Sequence, residues 1–282
     1  AALLTTAQAA KKNTKNSFSL NEVPKYNGKA SVVVHGNQPY FTSREKQNTK
    51  SFESYHKLDK LGRCGVAYAN ISIDTMPTEK RGEIGQIRPS GWHTVKYSGV
   101  VDGNYLYNRC HLIAYCLTAE NANKKNLITG TRYLNNEGML PYETKTAQYI
   151  DKTKNHVLYR VTPVFKGSDL VASGVLMEAY SVEDQGKGIS FCVYCYNVQP
   201  GVAIDYATGD SHLRGKNNQN SHKSSAKEHA STVYILNTNT KKFHKPDCYS
   251  VKQMRSKNRQ KYKGLRKKLI KDGYSPCKNC NP

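Results

Sequence analysis

Apolar positions along this chain fall mostly into short alternating runs, with few helical stripes. Residues 30–35 (ASVVVH) read as a strand that ends at the Gly36-Asn37 turn, and residues 58–73 become β-rich in their second half. Residues 78–92 form a loop rich in glycine, proline and charge. Residues 94–101 and 105–107 read as strands flanking Asp102-Gly103, a hairpin that delivers the chain to His111. Helical character is expected over 114–121, over 132–136 and most clearly over 140–152. In the last of these Leu140, Ala147 and Ile150 can share a face, and Pro141 starts or kinks the helix. Three strand-like runs follow at 156–165, 170–180 and 189–198, with turns at Gly167 and around 186–188. Their alternation predicts an antiparallel meander with one wet face. Periodicity vanishes over 209–231, which reads as a flexible linker. It returns as a short strand at 232–237, followed by a basic helix over 252–271. The pattern predicts an α+β fold with a mostly antiparallel sheet, divided as a tail (1–29), a main domain (30–208), a linker (209–231) and a small module (232–282).

Composition narrows the partners. Lys plus Arg is 43 against 21 Asp plus Glu in 282 residues, a formal net charge of +22. Such a field attracts polyanions and speeds their encounter. Nucleic acid is the leading partner, and an anionic cell envelope is the alternative. No run of about 18 apolar residues exists to span a membrane. The first ten residues (AALLTTAQAA) are small and apolar, and Ala7-Gln8-Ala9 has the small-x-small form of a signal cleavage site, so the start reads as the tail of a signal peptide and the protein as secreted or surface-associated. Of eight cysteines, Cys248, Cys277 and Cys280 cluster near the end with His244, and five lie in the body: Cys64, Cys110, Cys116, Cys192 and Cys195. A Cys110–Cys116 or Cys192-containing bridge and burial as small hydrophobes both remain open.

The segment 108–143 (NRCHLIAYCLTAENANKKNLITGTRYLNNEGMLPYE) carries the densest candidate chemistry. Hydrolysis of a phosphodiester needs a deprotonated water, charge stabilisation on phosphate and help for the leaving oxygen. Neutral imidazole at His111 suits the base. Arg109 can fork two donors onto phosphate. Magnesium keeps several waters, so an Asn carbonyl at Asn135 and a carboxylate at Glu143 acting through water suit it. These two stand eight residues apart, about two helical turns. Asn126 lies in the same segment as a residue that could help organise the site or contact substrate, with a turn or cap residue as the alternative, and Arg81 and Arg88 on the preceding loop are candidate phosphate ligands or solvated charges. Trp92 reads as a core anchor.

This segment resembles the DNA/RNA non-specific endonucleases of the ββα-metal (His-Me finger) class, whose Asp-Arg-Gly-His motif ends a β-hairpin and precedes a helix bearing a metal-binding Asn and a Glu. Here the motif reads Asn108-Arg109-Cys110-His111 with Asn135 and Glu143 at matching spacing. The wording HLIAY, KKNLITGTRYLN and EGMLPYE looks most like secreted and DNA-entry nucleases of Gram-positive bacteria, and the resemblance spans roughly residues 50–205. It implies that His111 is the general base, Asn135 the direct Mg²⁺ ligand, Glu143 the holder of metal-bound water, and Arg109 a phosphate support, with DNA and RNA as substrates and 5′-phosphate ends as products. Two departures stand out. Asn108 replaces an Asp and brings no charge. Cys110 replaces a Gly and needs room for a Cβ or a pairing with Cys116.

The final segment offers His244-x-x-x-Cys248 and Cys277-x-x-Cys280, a ligand set for one structural Zn²⁺, with two disulfides as the alternative for an exported protein. It looks like a small Cys/His module related to the metal-binding domain of Ada proteins. Its basic run could track a phosphate backbone or be a solvated face. Competing with the nuclease reading are a non-catalytic nucleic-acid-binding or uptake protein on a vestigial nuclease fold, and an adhesion protein that holds an anionic envelope.

Overall fold

The computed structural model describes residues 17–214 and 232–282, except 253, 278, 279 and 281. The signal-like start and most of the expected linker lie outside the described residues. In chain order the main body contains β1 (Ser31–Val33), β2 (Phe52–Tyr55), β3 (Ala67–Ile71), β4 (Tyr107–His111), helix α1 (Tyr115–Thr118), β5 (Leu127–Thr131), helix α2 (Leu140–Thr153), β6 (Val157–Val164), β7 (Gly174–Ser181), β8 (Ser190–Tyr196) and the short pair β9 (Val202–Ile204) and β10 (Ser211–Leu213). Six strands form one antiparallel sheet in the order β1-β8-β7-β6-β3-β2, and β4 pairs separately with β5. The architecture is α+β with a mostly antiparallel sheet, and the meander β6-β7-β8 falls where the alternation placed it.

The meander has no wet face. One side packs Tyr159, Val161, Met177 and Val193 against Cys110, Leu112, Leu134 and Met139 of the β4–β5 hairpin and its helix. The other side is covered by the residues before β2, which a polar composition had suggested were a tail as far as residue 29. Phe18 stacks on Tyr194, Tyr196 donates to the Pro24 carbonyl at 2.7 Å, and Val34 and Phe41 are buried. Widely spaced aromatics in a polar stretch carry no periodicity, yet each covers part of the sheet. Beneath them Arg160 forks onto Glu178 at 2.8 and 2.9 Å, and the Tyr40 amide donates to the same carboxylate at 2.7 Å. The charge buried on that face is thereby paired and hydrogen-bonded, as burial demands.

The hairpin that carries His111 is also not the one expected. Asp102-Gly103 does make a turn, but its flanks share a single bridge, Lys96 with Tyr105. The strand that matters, β4, pairs instead with β5, across a connection spanning residues 112–126. Local turn chemistry shows only adjacent pairings, so it missed this partner. Residues 209–213, read as the start of the linker, belong to the fold. Tyr107 donates to the Gly209 carbonyl at 2.9 Å, and a Cβ at Gly209 would lie 2.0 Å from the Gly91 carbonyl oxygen.

Asn197 fastens the hairpin to the sheet. Its Oδ1 accepts from the Thr131 amide at 2.9 Å, and its Nδ2 donates to the carbonyls of Thr129 and Ala172 at 3.1 and 2.8 Å. It is fully buried, so losing this side chain would strand partners at about 1–3 kcal/mol each.

In the C-terminal region β11 (Val233–Asn237), β12 (Lys242–His244), β13 (Arg259–Lys263) and β14 (Ser275–Pro276) form a sheet in the order β13-β11-β12-β14. Helices α3 (Tyr249–Lys252) and α4 (Arg266–Lys271) flank β13 in sequence. The single basic helix expected over 252–271 is instead the end of α3, a 3₁₀ turn (Ser256–Asn258), strand β13 and helix α4. Over Arg259–Lys263 the cations recur at every second residue, a strand period, and this part forms β13.

Candidate active site

Strand β4 sets the site by period-two alternation. Arg109 and His111 point to one face, and Cys110 points to the core on the other. A cleft of about 570 Å³ opens over that first face, lined by Arg81, Trp92, Tyr105, Asn108, Arg109, His111, Arg132 and Asn135 among others. Three guanidinium groups therefore face one space. Three like charges lining one cleft repel each other unless solvent or a bound anion offsets them.

His111 is 6% exposed. Its Nε2 lies 2.8 Å from the Asn121 carbonyl oxygen. A carbonyl only accepts, so Nε2 carries the proton and Nδ1 keeps its lone pair. Nδ1 faces the Arg81 guanidinium, with Nη2 at 3.5 Å. Burial pushes the imidazole pKa down to about 4; Asn121 opposes the shift and Arg81 adds to it. His111 is thus a neutral, oriented imidazole at physiological pH.

Arg109 donates from Nε to the Ile87 carbonyl at 2.6 Å, and its guanidinium sits 4.1 Å from the Trp92 ring centroid. The outer nitrogens remain for the cleft. Trp92 packs with Val95, Tyr97 and Leu106, as an anchor should, and also serves as the floor under Arg109. Arg88 donates to the Gly85 carbonyl, which ties it to its own loop.

Asn135 and Glu143 lie on one continuous helical run. Its turn over Leu134–Met139 is π-helical, with the Leu140 amide reaching back to the Asn135 carbonyl. The helices expected at 132–136 and 140–152 are therefore joined, and Pro141 sits just after the wide turn, at the first positions of α2. In a uniform α-helix a spacing of eight leaves two residues about 80° apart. The wider i→i+5 turn reduces the twist per residue and swings them back toward a common face.

Cys110 occupies the position where the resembled motif has glycine, and its space is supplied from across the hairpin. A Cβ on Gly130 would lie 2.6 Å from the Cys110 Cβ, so the strand partner has given up its own side chain. The thiol is fully buried and forms no disulfide; all eight cysteines are free. Burial, and then the nearby Glu143 carboxylate, hold its pKa well above the usual range, so it stays protonated and donates to Asn135 Oδ1 at 3.2 Å. That bond, with Asn135 Nδ2 donating to Asn136 at 3.1 Å, fixes which end of the Asn135 amide is oxygen. Asn108 lines the cleft and makes no side-chain hydrogen bond among the described residues.

Glu143 is 7% exposed and has no hydrogen-bond partner among the described residues. Burial pushes its pKa up to about 8, with Arg81 pulling the other way. Glu143 is not among the residues that line the cleft; its charge is felt at Cys110, whose thiol donates to Asn135 Oδ1, and a cation near that amide oxygen would give the buried carboxyl a partner.

Two positions differ from the sequence expectation. Asn126, a candidate substrate contact, is fully buried, and both ends of its amide are used on Ile113: Oδ1 accepts from its N–H and Nδ2 donates to its carbonyl, each at 2.9 Å. It clamps the chain leaving His111 and cannot touch a substrate. Arg132 was overlooked. It lines the cleft one helical turn before Asn135, and its Nε is buried without a partner. The available signal was the spacing Arg132-x-x-Asn135, which puts both on one helix face.

The two shifted groups act on stability in separate windows. The lowered pKa of His111 gives a contribution complete above pH 6.5 and lost as pH falls through about 4. The raised pKa of Glu143 gives one complete below pH 4.5 and lost as pH rises through about 8. In metal-free protein the unfolding free energy is therefore expected to fall between pH 6.5 and 8, with a slope of at most about 1.4 kcal/mol per pH unit. Denaturant titrations of wild type and Glu143→Gln across that window check this. A slope that the substitution leaves unchanged would show that Glu143 is not the group responsible.

Residues 42–183 match the DNA/RNA non-specific endonuclease family. The metal-free crystal structure of NucA from Streptococcus agalactiae is similar at 27% identity, covering 74% of this chain and 98% of that one, with a TM-score of 0.59. The magnesium-bound structure of the same nuclease gives 27% identity over 64% of this chain and 86% of that one, with a TM-score of 0.57. A structure of Sda1 nuclease with bound zinc is 30% identical over 58% of this chain and 80% of that one, at a TM-score of 0.49. With a strand-borne histidine and arginine facing a guanidinium-lined cleft, and with the family match spanning half of its length, this chain belongs to the DNA/RNA non-specific endonucleases and is a hydrolytic nuclease.

Proposed function

We propose that the protein is a magnesium-dependent endonuclease that hydrolyses DNA, and RNA as well, without reading sequence, and that it acts outside the bacterial cell or at its anionic surface. The observation that carries the reading is the hydrogen bond from His111 Nε2 to the Asn121 carbonyl, which leaves Nδ1 as an unprotonated base in a cleft of guanidinium groups. In this scheme His111 Nδ1 takes the proton from the attacking water. Arg109, held on Trp92, and Arg81 and Arg132 beside it bind the phosphate oxygens and stabilise their added charge. Asn135 Oδ1 would hold Mg²⁺ directly and Glu143 would hold it through water. When bound, the ion would neutralise charge on the phosphate and the leaving oxygen. Nothing in this set addresses a base edge, which is why cleavage is expected at any sequence. Export rests on the Ala-rich, signal-like start, and envelope association on the net charge of +22.

The C-terminal module is proposed to hold one structural Zn²⁺. The ligand atoms of His244, Cys248, Cys277 and Cys280 lie within 4.8 Å of one another, with His244 Nδ1 3.7 Å from Cys248 Sγ. Tetrahedral ligands at about 2.0–2.3 Å from one ion stand roughly 3.3–3.8 Å apart, so a modest contraction of this cluster would seat the ion. A region of some fifty residues has little core of its own, so such a staple would contribute folding energy directly. Elemental analysis of protein purified without chelator is expected to give one zinc per chain, absent from Cys277→Ser; a metal-free wild type would refute this site.

The nuclease reading is tested by supercoiled-plasmid and RNA cleavage. Wild type is expected to nick both with Mg²⁺ and neither with EDTA, and His111→Ala to lose at least about a hundredfold in rate, the contribution typical of a general base. Wild-type protein that binds plasmid in Mg²⁺ and never nicks it would overturn the proposal.

A further inference from the structure

The net charge is unevenly distributed. Residues 232–282 hold 14 of the 43 lysines and arginines and only 2 of the 21 aspartates and glutamates. The excess of 12 positive charges in these 51 residues exceeds the excess of 10 in the 231 residues before them. Most of the field that would draw in a polyanion thus lies outside the domain that carries the catalytic cleft.

Within the module the cations are ordered. Arg255, Lys257, Arg259, Lys261 and Lys263 alternate with Ser256, Asn258, Gln260 and Tyr262. The last three cations lie on β13, the outer strand of its sheet, paired on one side only, with β11. Alternation puts Arg259, Lys261 and Lys263 on one face, at a spacing of about 6.8 Å. Arg259 is used internally, donating to the carbonyls of Val251 and Met254. Lys257, Lys261 and Lys263 are exposed, and none is in an ion pair among the described residues. The module's two carboxylates are remote from this row in sequence, and Asp272 is already paired with Lys268 at 3.1 Å. The opposite face of β13 is closed, because Tyr262 packs with Tyr234, Leu236, Phe243 and Leu269. Lys261 and Lys263 therefore keep the strand pitch on an exposed side of β13, Lys257 precedes them in the 3₁₀ turn Ser256–Asn258, and none of the three has an ion-pair partner among the described residues. Edge-strand lysines also discourage strand addition, but that role needs neither a regular row nor a module-wide lack of carboxylates.

We propose that this row, Lys257, Lys261 and Lys263 on the outer edge of the module, is a second nucleic-acid-binding site that grips the phosphate backbone of the substrate away from the cleft. It rests on the nuclease reading for its biological sense, though not for its physics. Its consequence is tethering: a long polymer held by the module presents its phosphates to the cleft at a raised effective concentration. A short oligonucleotide that fills only the cleft gains nothing.

The test uses the full chain carrying His111→Ala, in EDTA, with a fluorescein-labelled 40-base-pair duplex and anisotropy read from 50 to 300 mM NaCl. Relative to that parent, the triple variant Lys257→Gln, Lys261→Gln, Lys263→Gln is expected to bind at least about tenfold more weakly at 150 mM and to lose about 2.7 from the slope of log K against log[NaCl], the value for three phosphate contacts. The corresponding triple Arg variant is expected to keep both, since it keeps the charge. With His111 restored and Mg²⁺ present, the Gln variant is expected to cut an eight-nucleotide strand at the parental rate and a long duplex more slowly. Unchanged affinity and slope in the Gln variant, with its melting transition intact, would overturn the proposal. So would tighter binding of the parent to poly(glycerol phosphate) than to duplex at equal phosphate concentration, which would point to the envelope. The two proposals fail separately. Loss of slope in a protein that never cuts refutes only the nuclease scheme, and cutting without a slope change refutes only the second site.

Discussion

The connection between the two strands of the site hairpin is held by two amides, and the chemistry depends on both. Asn121 offers its backbone carbonyl to His111 Nε2, and Asn126 closes a double hydrogen bond on the backbone of Ile113. The first selects the imidazole tautomer. The second fixes the chain that has just left His111. Neither residue faces the substrate, yet without them the ring could present either nitrogen to the cleft. Burial then removes the remaining freedom by holding the ring neutral, with its pKa near 4. The hairpin and its helix both pack on the meander, and Asn197 ties β5 to the segment that leads into β7.

The motif's departure at Cys110 is offset within the fold. A side chain has been added on β4 where the resembled motif has glycine, and on the paired strand Gly130 leaves the space it fills. The thiol then reaches Asn135 Oδ1 from the core side of the strand. A core residue is in this way connected to the amide that faces the cleft, and the π turn under Asn135 lets the same helix hold Glu143 behind it. The exchange of Asp for Asn108 has no such compensation, since no side-chain hydrogen bond holds that amide among the described residues.

Much of this was legible in the sequence and some was not, for identifiable reasons. The meander was legible because alternation is a local property of each strand. The covering of its second face was not, because Phe18, Leu20 and Phe41 are scattered apolar residues in polar surroundings and gain meaning only against the sheet. His111, Arg109, Asn135 and Glu143 could be named from residue type and spacing. Asn126 was misplaced because an amide that clamps backbone and an amide that contacts substrate look alike in a sequence. Arg132 was missed because its significance is a direction, into the cleft, set by a helix whose start the sequence placed correctly but whose face it did not resolve. The basic run of the module was read as a helix from its charge, although its period of two already indicated a strand.

The chemistry centres on an unprotonated Nδ1 of a neutral His111, and the ring nitrogens report on that directly. Nitrogen-15 chemical shifts of the His111 side chain, measured in the full-length, metal-free protein from pH 5 to 8, are expected to show one neutral tautomer with the proton on Nε2 throughout. A ring protonated on Nδ1, or an imidazolium that persists to pH 7, would contradict the account at its base.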